Sequence, residues 1–489
     1  MMKLILILYC IAVGALIVYG VNCHVMVYLF KRRGAKRREE DQKLLWSFEN
    51  KADLQALPVV TSQLPIYNEL NVAERVIDAV AAFDYPEGKH EIQVLDDSTD
   101  ETRHIIAQKV EALKASGVQI EHIRRPCREG YKGGALRHGL HTARGEFLAI
   151  FDADFVPTRD FLLRTVPFFL MEPRLGLVQG RWGHLNRNET LVTRLQSIGM
   201  NGHFVVEQSA RNWNDLFMNF NGTGGVFRKR AILEAGNWQD ETLTEDLDLS
   251  YRIQLAGWKC RYLVDVVAPA EIPTDINAFK SQQFRWAKGS IQTAIKLLSR
   301  VWQSDHAIFK KVQATLHLTH YCVHPLMAYL AIMALPLLVT KRFDLPPVAF
   351  ALFGVLLFLS CTGPSRLYWT AEKYIQGRWS KQMLFLPFLV CFGCGVAINN
   401  TRAIVEAVWG KKSEFIRTPK RGHVEKKRYK PAVNVLFLFE ITAGLWCLLG
   451  MYFYFAVRQY LVGHFLLMYA IGFLYVGGMS FLQQKRRPG

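Results

Sequence analysis

Residues 4–30 contain no acidic residue and a single imidazole, His24, and they are long enough to cross the hydrocarbon core of a bilayer. Apolar stretches return at about 314–339, 345–363, 383–409, 434–457 and 461–482, whereas 31–312 is mixed in composition. A chain patterned in this way is expected to enclose a globular domain between membrane helices. The first segment is too long for a secretory leader and lacks a small-residue cleavage site, so it reads as a retained anchor over 1–30. Lys31, Arg32, Arg33, Lys36, Arg37 and Arg38 follow at once, in what reads as a basic juxtamembrane linker over 31–54. Under the positive-inside rule these cations put the N-terminus outside and the globular part in the cytosol of a multi-pass cell-membrane protein. The formal charge of +18 comes largely from such runs. Beside so many spans they fit an anionic leaflet, and no nucleic-acid partner is expected. Most of the nine cysteines fall in or beside apolar stretches, which argues for membrane packing and a reducing compartment.

The globular part alternates short apolar runs with amphipathic ones. Strands are expected at Leu57–Ser62, Glu91–Leu95, Val118–Ile123, Glu146–Phe151, Gly176–Gln179 and Arg261–Val266, with helices at Glu69–Phe83, Glu101–Ala115 and Tyr131–Ala143. This alternation implies an α/β domain with a mostly parallel sheet, whose ligands sit at the carboxyl ends of the strands. Asp96-Asp97 and Asp152-Ala153-Asp154 both follow strand ends, so both fall on that edge. Residues 276–302 carry Ile276, Phe279, Ile291, Ile295, Leu298 and Trp302 at helical spacing, with Lys280, Arg285, Lys288, Lys296 and Arg300 on other faces. Such a helix is expected to lie in the headgroup layer, within an interface segment over 276–312.

Four clusters carry the chemistry. Two carboxylates one residue apart, Asp152 and Asp154, can hold Mg²⁺ or Mn²⁺ and leave positions for diphosphate oxygens. Asp96 and Asp97 can accept hydrogen bonds from a nucleobase or ribose. Thr242-Leu243-Thr244-Glu245 reads as a capping box opening a helix through Leu255, with Asp246 in its first turn where the dipole favours a carboxylate. Held near an acceptor hydroxyl, Asp246 can take its proton as the oxygen attacks an anomeric carbon, a displacement that inverts configuration. Arg285 offers a planar fork to a diphosphate, and Trp286 a face for a pyranose ring.

In this order the clusters resemble the membrane-embedded synthases of glycosyltransferase family 2, the cellulose, chitin and hyaluronan synthase group. The matching residues are Asp97, Asp154, Asp246 and Gln282-Gln283-Phe284-Arg285-Trp286. Pro65-Ile66-Tyr67-Asn68-Glu69, Gly130-Tyr131-Lys132-Gly133-Gly134, Phe220-Asn221-Gly222-Thr223-Gly224-Gly225 and Glu245-Asp246-Leu247-Asp248 look most like the plant cellulose-synthase-like mannan and xyloglucan-backbone synthases and their bacterial counterparts. The resemblance implies a GT-A-type catalytic domain over 55–275, inserted in a multi-span α-helical membrane domain. It implies that Glu69, Asp96, Asp97, Lys132, Asp152, Gln282 and Arg285 serve the nucleotide-sugar, and Asp152 and Asp154 the metal. Asp246 would be the base, with Glu245 beside it, and Trp286, Asn221 and Gly222 would meet the acceptor. Phe415–Lys420 looks like a gating loop, within 410–432, whose Thr418 and Lys420 would touch the donor.

A cytosolic domain and a cytosolic gating loop require an even number of crossings between them, so 383–409 is expected to be re-entrant or interfacial rather than a simple span. No cyclic-dinucleotide sensor domain is expected in this chain, and secretion partners are left open. The expected activity is processive and inverting. It polymerises a β-linked glucan or mannan from UDP-glucose or GDP-mannose and moves the growing polysaccharide across the bilayer. The competing expectation is a non-processive enzyme that glycosylates a lipid such as diacylglycerol or ceramide.

Overall fold

The computed structural model describes residues 2–51, 56–338, 347–377, 381–413, 422 and 435–485. Helix α1 (Met2–Lys51) is unbroken, so residues 31–51 of the stretch expected as a linker continue the first helix. Its charged side chains grip the globular domain. Arg33 Nη1 donates to Trp213 O at 3.0 Å, Arg38 Nε to Asp265 Oδ2 at 2.9 Å, and Arg261 Nη1 to Asp41 Oδ1 at 2.5 Å. Part of the basic run therefore braces the domain instead of facing a leaflet.

The globular domain alternates as the sequence implies: β1 (Val60–Ile66), α2 (Ala73–Ala81), β2 (His90–Asp96), α3 (Thr102–Ala115), β3 (Ile120–Ile123), α4 (Tyr131–Thr142) and β4 (Phe147–Ile150). There follow α5 (Pro167–Met171), β5 (Leu175–His184), α6 (Leu191–Asn201), a π-helical turn at Gly202–Glu207, α7 (Gln208–Trp213), β6 (Gly225–Arg228), α8 (Lys229–Glu234), α9 (Glu245–Leu255) and β7 (Lys259–Ala270). The seven strands lie in the order β3-β2-β1-β4-β6-β5-β7. β6 is absent from the strands expected on sequence. Four residues directly after a glycine-rich turn give too short a run to announce a strand, and β6 is held by antiparallel pairing to β4 and β5.

β4 shows why the sheet is central. Phe147 and Ala149 point into one core with Val76, Val80 and Phe161, whereas Leu148 and Ile150 point into a second with Leu136, Leu177 and Phe227. A strand covered on both faces reads as a continuous apolar run because successive side chains alternate between faces. The second core continues through Met26, Val27 and Phe30 of α1, so the sheet is packed directly onto the apolar helices.

The remaining helices are α10 (Ile276–Gln303), α11 (Ile308–Leu318), α12 (Val323–Leu337), α13 (Pro347–Gln376), α14 (Leu386–Gly395), α15 (Ala397–Val408), α16 (Leu436–Ala456) and α17 (Tyr460–Lys485). Among the described residues, four helical segments are long and apolar enough to cross a membrane: Leu4–Phe48, His320–Leu337, Leu436–Ala456 and Tyr460–Lys485. The segment Lys381–Gly395 meets α15 at a bend of 40°, the geometry of a broken span or a re-entrant loop, in the region expected not to cross simply. α13 packs along α1, where a Cβ on Gly20 or Gly363 would run into the other helix. Small residues at such a contact let backbones approach without an aqueous hydrophobic drive.

α10 departs from its expected place. Lys280 and Lys288 are buried, while Ile295 and Trp302 are 62% and 46% exposed. Lys280 Nζ lies 2.7 Å from Glu440 of α16, and Lys288 Nζ lies 3.1 Å from Glu406 of α15. The helix is a wall shared by the globular domain and the apolar helices. Its lysines face that wall because each meets a carboxylate there.

Candidate active site

At the carboxyl edge of the sheet a cleft of about 1250 Å³, counting space open at its mouth, runs from the tip of β2 to the tip of β5. Asp97 stands at the first end. Arg125 clamps it with Nε and Nη2 at 2.7 and 2.6 Å and also donates to Glu129 O and Tyr131 O. The guanidinium of Arg128 lies 3.5 Å over the Tyr67 ring. Asp96 does not share this cleft. Its side chain is fully buried, accepts from Ser98 N at 2.8 Å and lies 2.8 Å from His122 Nε2, contacts that hold its carboxyl below the usual range against the cost of burial. The expected donor contact at Asp96 is therefore corrected to a structural one. It is the last residue of β2, and its side chain points back to β3.

The middle of the cleft is built around Lys132. Gly130, at φ +67°, starts α4 in the left-handed region, and Gly133 lies so close to α9 that a Cβ would be 3.3 Å from Glu245 Cβ. That approach brings Lys132 Nζ to 2.5 Å from Asp152 Oδ1, 2.8 Å from Gly222 O and 4.0 Å from Glu245 Oε1. Asp152 follows β4, and its N–H donates to Thr223 Oγ1 at 2.9 Å. Gly222, at φ +86°, is closely packed: an added Cβ would sit 3.0 Å from Asp246 Oδ2 and 3.3 Å from Lys132 Nζ.

Glu245 and Asp246 open α9, but not through the expected capping box. Thr244 is the N-cap and accepts no side-chain capping bond; its hydroxyl lies 3.4 Å from that of Thr293 in α10. Proximity of α10, where a Cβ on Gly289 would strike Thr244, overrides the local signal. Asp246 Oδ1 instead accepts from Leu247 N at 2.8 Å. Burial and the neighbouring Glu245 push the Asp246 carboxyl up to about 7, and burial also raises Glu245. Lys132 works against its own burial: Asp152 and Glu245 hold its ammonium above the ordinary value. Burial lowers Arg285 to about 10, opposed by Glu245, Asp152 and Asp246, so it is a cation at neutral pH.

Glu69, Asp97, Lys132, Asp152, Asp154, Asn221, Gly222, Glu245, Asp246, Gln282, Arg285 and Trp286 thus all border one cleft. Gln282 Oε1 is buried without a hydrogen-bond partner among the described residues, an unsatisfied acceptor on a residue that lines the cleft. Asn221 is already engaged. Its Oδ1 accepts from Gln208 Nε2 at 2.6 Å, its N–H donates to Gln179 Oε1, and Nδ2 lies 3.1 Å from His203 Nε2, so its side chain fixes the Gly222 turn. Thr418 and Lys420 lie outside the described residues.

Asp152 and Asp154 offer hard oxygen ligands suited to Mg²⁺ or Mn²⁺. Among the described residues no group of three or more potential ligands comes together, so the pair fits a cation that completes its shell from a diphosphate and water. Sequence reasoning passed over Arg125, Arg128 and Trp182, which border or brace the cleft. The signal for Arg125 was available: Arg124-Arg125 directly follows β3, on the edge that carries the site.

Residues 58–289 match the family described as Glycosyltransferase like family 2. Glucomannan 4-beta-mannosyltransferase 7 of Arabidopsis thaliana is 33% identical over 414 residues, 80% of this chain and 71% of the relative. Glucomannan 4-beta-mannosyltransferase 1 of Oryza sativa subsp. japonica is 34% identical over 389 residues, 76% of this chain and 71% of that one. Among solved structures, the mannosyltransferase PcManGT from Pyrobaculum calidifontis, in complex with GDP-Man and Mn²⁺, is 20% identical with a TM-score of 0.49, over 81% of this chain and 100% of that chain. With the ordered carboxylates and the Gln282–Trp286 motif gathered in one cleft, the family match and the two plant relatives show that the chain belongs to glycosyltransferase family 2, in its cellulose synthase-like group, and is a glycosyltransferase.

Proposed function

We propose that the enzyme transfers mannose from GDP-mannose to the end of a β-linked mannan or glucomannan, inverting the anomeric centre, and keeps the product for repeated additions. The names of the relatives support mannose over glucose among the two donors considered. The observation that carries the reading is the placement of Asp246: a carboxyl raised to about 7, at a helix N-terminus, in the same cleft as the Asp152–Asp154 pair and Trp286. A base with a pKa near the working pH is well matched to deprotonating a hydroxyl.

In this mechanism Trp286 packs on the terminal sugar and presents its hydroxyl to Asp246. The proton passes to the Asp246 carboxylate as the hydroxyl oxygen bonds to the anomeric carbon. The bond from that carbon to the diphosphate oxygen breaks on the opposite face, and the nucleoside diphosphate departs. Lys132 and Arg285 meet the growing negative charge with preplaced cations, which cost little reorganisation during the reaction. When bound at Asp152 and Asp154, a divalent cation supplies further neutralisation of the diphosphate. The apolar helices, as membrane spans with the catalytic domain on their cytosolic side, give the polymer a protein-lined exit.

Purified full-length protein in nanodiscs, given labelled GDP-mannose or UDP-glucose with Mn²⁺ or Mg²⁺, tests this directly. The expected product is a long polar polymer released by β-mannanase. Label that partitions wholly into organic solvent as a lipid with one or two sugars would replace this reading with a glycolipid transferase.

A further inference from the structure

The far end of the cleft is formed by β5, whose last residue is His184. Both pairings of β6 are antiparallel, so β5 runs parallel to β4 and its carboxyl end opens on the same edge. It stands two strands beyond β4, about 10 Å further from the Asp97 end by strand spacing. Trp182, His184 and Met200 border the cleft here with Ala270, Glu271 and Ile272 at the end of the neighbouring β7, a stretch of wall with one carboxylate and without the guanidinium groups of the other half. A neutral, hydroxyl-rich ligand suits such a wall better than a diphosphate does.

His184 is held from behind by a chain of contacts that reaches the apolar helices. Glu372, on α13, has no exposure; it accepts from Arg187 Nη2 on one oxygen at 2.6 Å and from Asn201 Nδ2 on the other at 2.7 Å. With Nδ2 committed to the carboxylate, Asn201 turns Oδ1 toward His184 Nε2, 3.1 Å away. An amide oxygen only accepts, so Nε2 must carry the imidazole proton and Nδ1 is left with a bare lone pair. Nδ1 is buried and has no hydrogen-bond partner among the described residues. Burial lowers the pKa of the ring to about 4, so this tautomer is the neutral form present at physiological pH. A buried acceptor without a donor carries an energetic cost that a bound hydroxyl would remove.

We infer that His184 forms a further acceptor subsite, in which Nδ1 accepts a hydrogen bond from a hydroxyl of a sugar unit behind the one stacked on Trp286. Asn201 and Glu372 are positioning residues that keep the lone pair available by fixing the tautomer. The inference rests on the reading of the cleft as a sugar-chain transferase site. It deepens that reading by tying acceptor recognition to a carboxylate on an apolar helix.

The test uses the full chain in nanodiscs with GDP-mannose and β-1,4-mannotetraose, and measures KM for each substrate separately. His184→Phe keeps an aromatic ring without the lone pair and should raise the mannotetraose KM about tenfold, roughly 1.4 kcal/mol, with the GDP-mannose KM unchanged. His184→Asn, which retains an acceptor oxygen near the Nδ1 position, should recover most of that loss. Glu372→Gln should raise the mannotetraose KM in the same direction, and combined with His184→Phe it should add nothing. Wild-type saturation by mannotetraose with no change in His184→Phe would overturn this inference and leave the transferase reading standing. Equal rises in both KM values, or additive losses in the double variant, would also overturn it, because they mark a general structural role. A wild-type enzyme that makes β-mannan from GDP-mannose without any dependence on mannotetraose would overturn this inference alone, and one that makes no mannan from GDP-mannose would overturn both readings together.

Discussion

Replacing Lys132 with Met tests whether one cation sets the working pH of the base. The side chain keeps its length and loses its charge, and it is only 14% exposed, so solvent screens the lost charge weakly. The positions that an added Cβ at Gly222 would touch put Lys132 Nζ and Asp246 Oδ2 no more than about 6 Å apart. At that separation, with an effective dielectric near 20, the lost attraction is roughly 2.8 kcal/mol, or about two pH units. Burial and Glu245 already hold the Asp246 carboxyl at about 7, and removing the opposing cation raises it further. In the wild type kcat/KM should climb with pH through about 7, as the free enzyme's base ionises. In Lys132→Met the same limb should move to roughly pH 9, on top of a lower plateau from the missing charge at the diphosphate. The assay is release of nucleoside diphosphate at low donor concentration across pH 5.5–10, with binding of GDP followed in parallel to separate affinity from protonation. A limb that stays near 7 in the variant would refute the assignment of the base, and one that moves downward would refute the electrostatic argument itself.

Asp246→Asn should lose on the order of a hundredfold or more in turnover while still binding donor, as read by product formation and GDP binding. The same variant carries a stability signature. The folded pKa lies above the ordinary 3.8, so wild-type stability from this group is present at low pH and is lost as pH rises through about 7; Asp246→Asn should unfold at a higher temperature than wild type at pH 8. Arg125→Lys exchanges the fork on Asp97 for a point charge and should weaken donor binding several-fold, measured by titration with GDP. Chelation should abolish turnover, restored by Mn²⁺ or Mg²⁺, and Asp154→Ala should raise the metal concentration needed; donor turnover indifferent to chelator would remove the metal from the scheme. Glu440→Gln leaves Lys280 buried without its counter-charge and should cost about 3–5 kcal/mol, seen as a drop in the unfolding temperature, whereas Lys280→Met with Glu440→Leu should recover most of it.

Much of the catalytic domain is legible in the sequence because its signals are local. The run Phe147–Phe151 is too apolar for a strand with a wet face, and the acids that follow it must then sit at a strand tip. The same logic places Asp97 and the Asp152–Asp154 pair on one edge, and order along the chain adds Asp246 and Trp286. What a one-dimensional reading lacks is side-chain direction. Asp96 and Asp97 are adjacent, yet strand alternation sends the first toward His122 and the second toward Arg125. Adjacent carboxylates at the end of a strand should be expected to divide in this way, one for the fold and one for the site.

The interface helix α10 defeats the sequence reading for a different reason. Its periodicity says that two faces differ, but whether a lysine stripe meets headgroups or buried acids depends on what the rest of the chain brings opposite. Glu406 and Glu440 lie more than a hundred residues downstream of Lys280 and Lys288, in stretches that otherwise read as apolar. An acid inside such a stretch is expensive unless paired. Glu440, which has no basic residue in its own apolar stretch, and the surplus of lysines on α10 are therefore two halves of one signal, whereas Glu406 adds Lys288 to its own-helix partner Arg402. Matching acids in the apolar stretches to cations on the neighbouring helix docks α10 against α15 and α16. That docking also fixes the site. Gln282, Arg285 and Trp286 are interleaved with Lys280 and Lys288 on the same helix, so the ion pairs that hold α10 to the apolar helices set where these three side chains stand in the cleft.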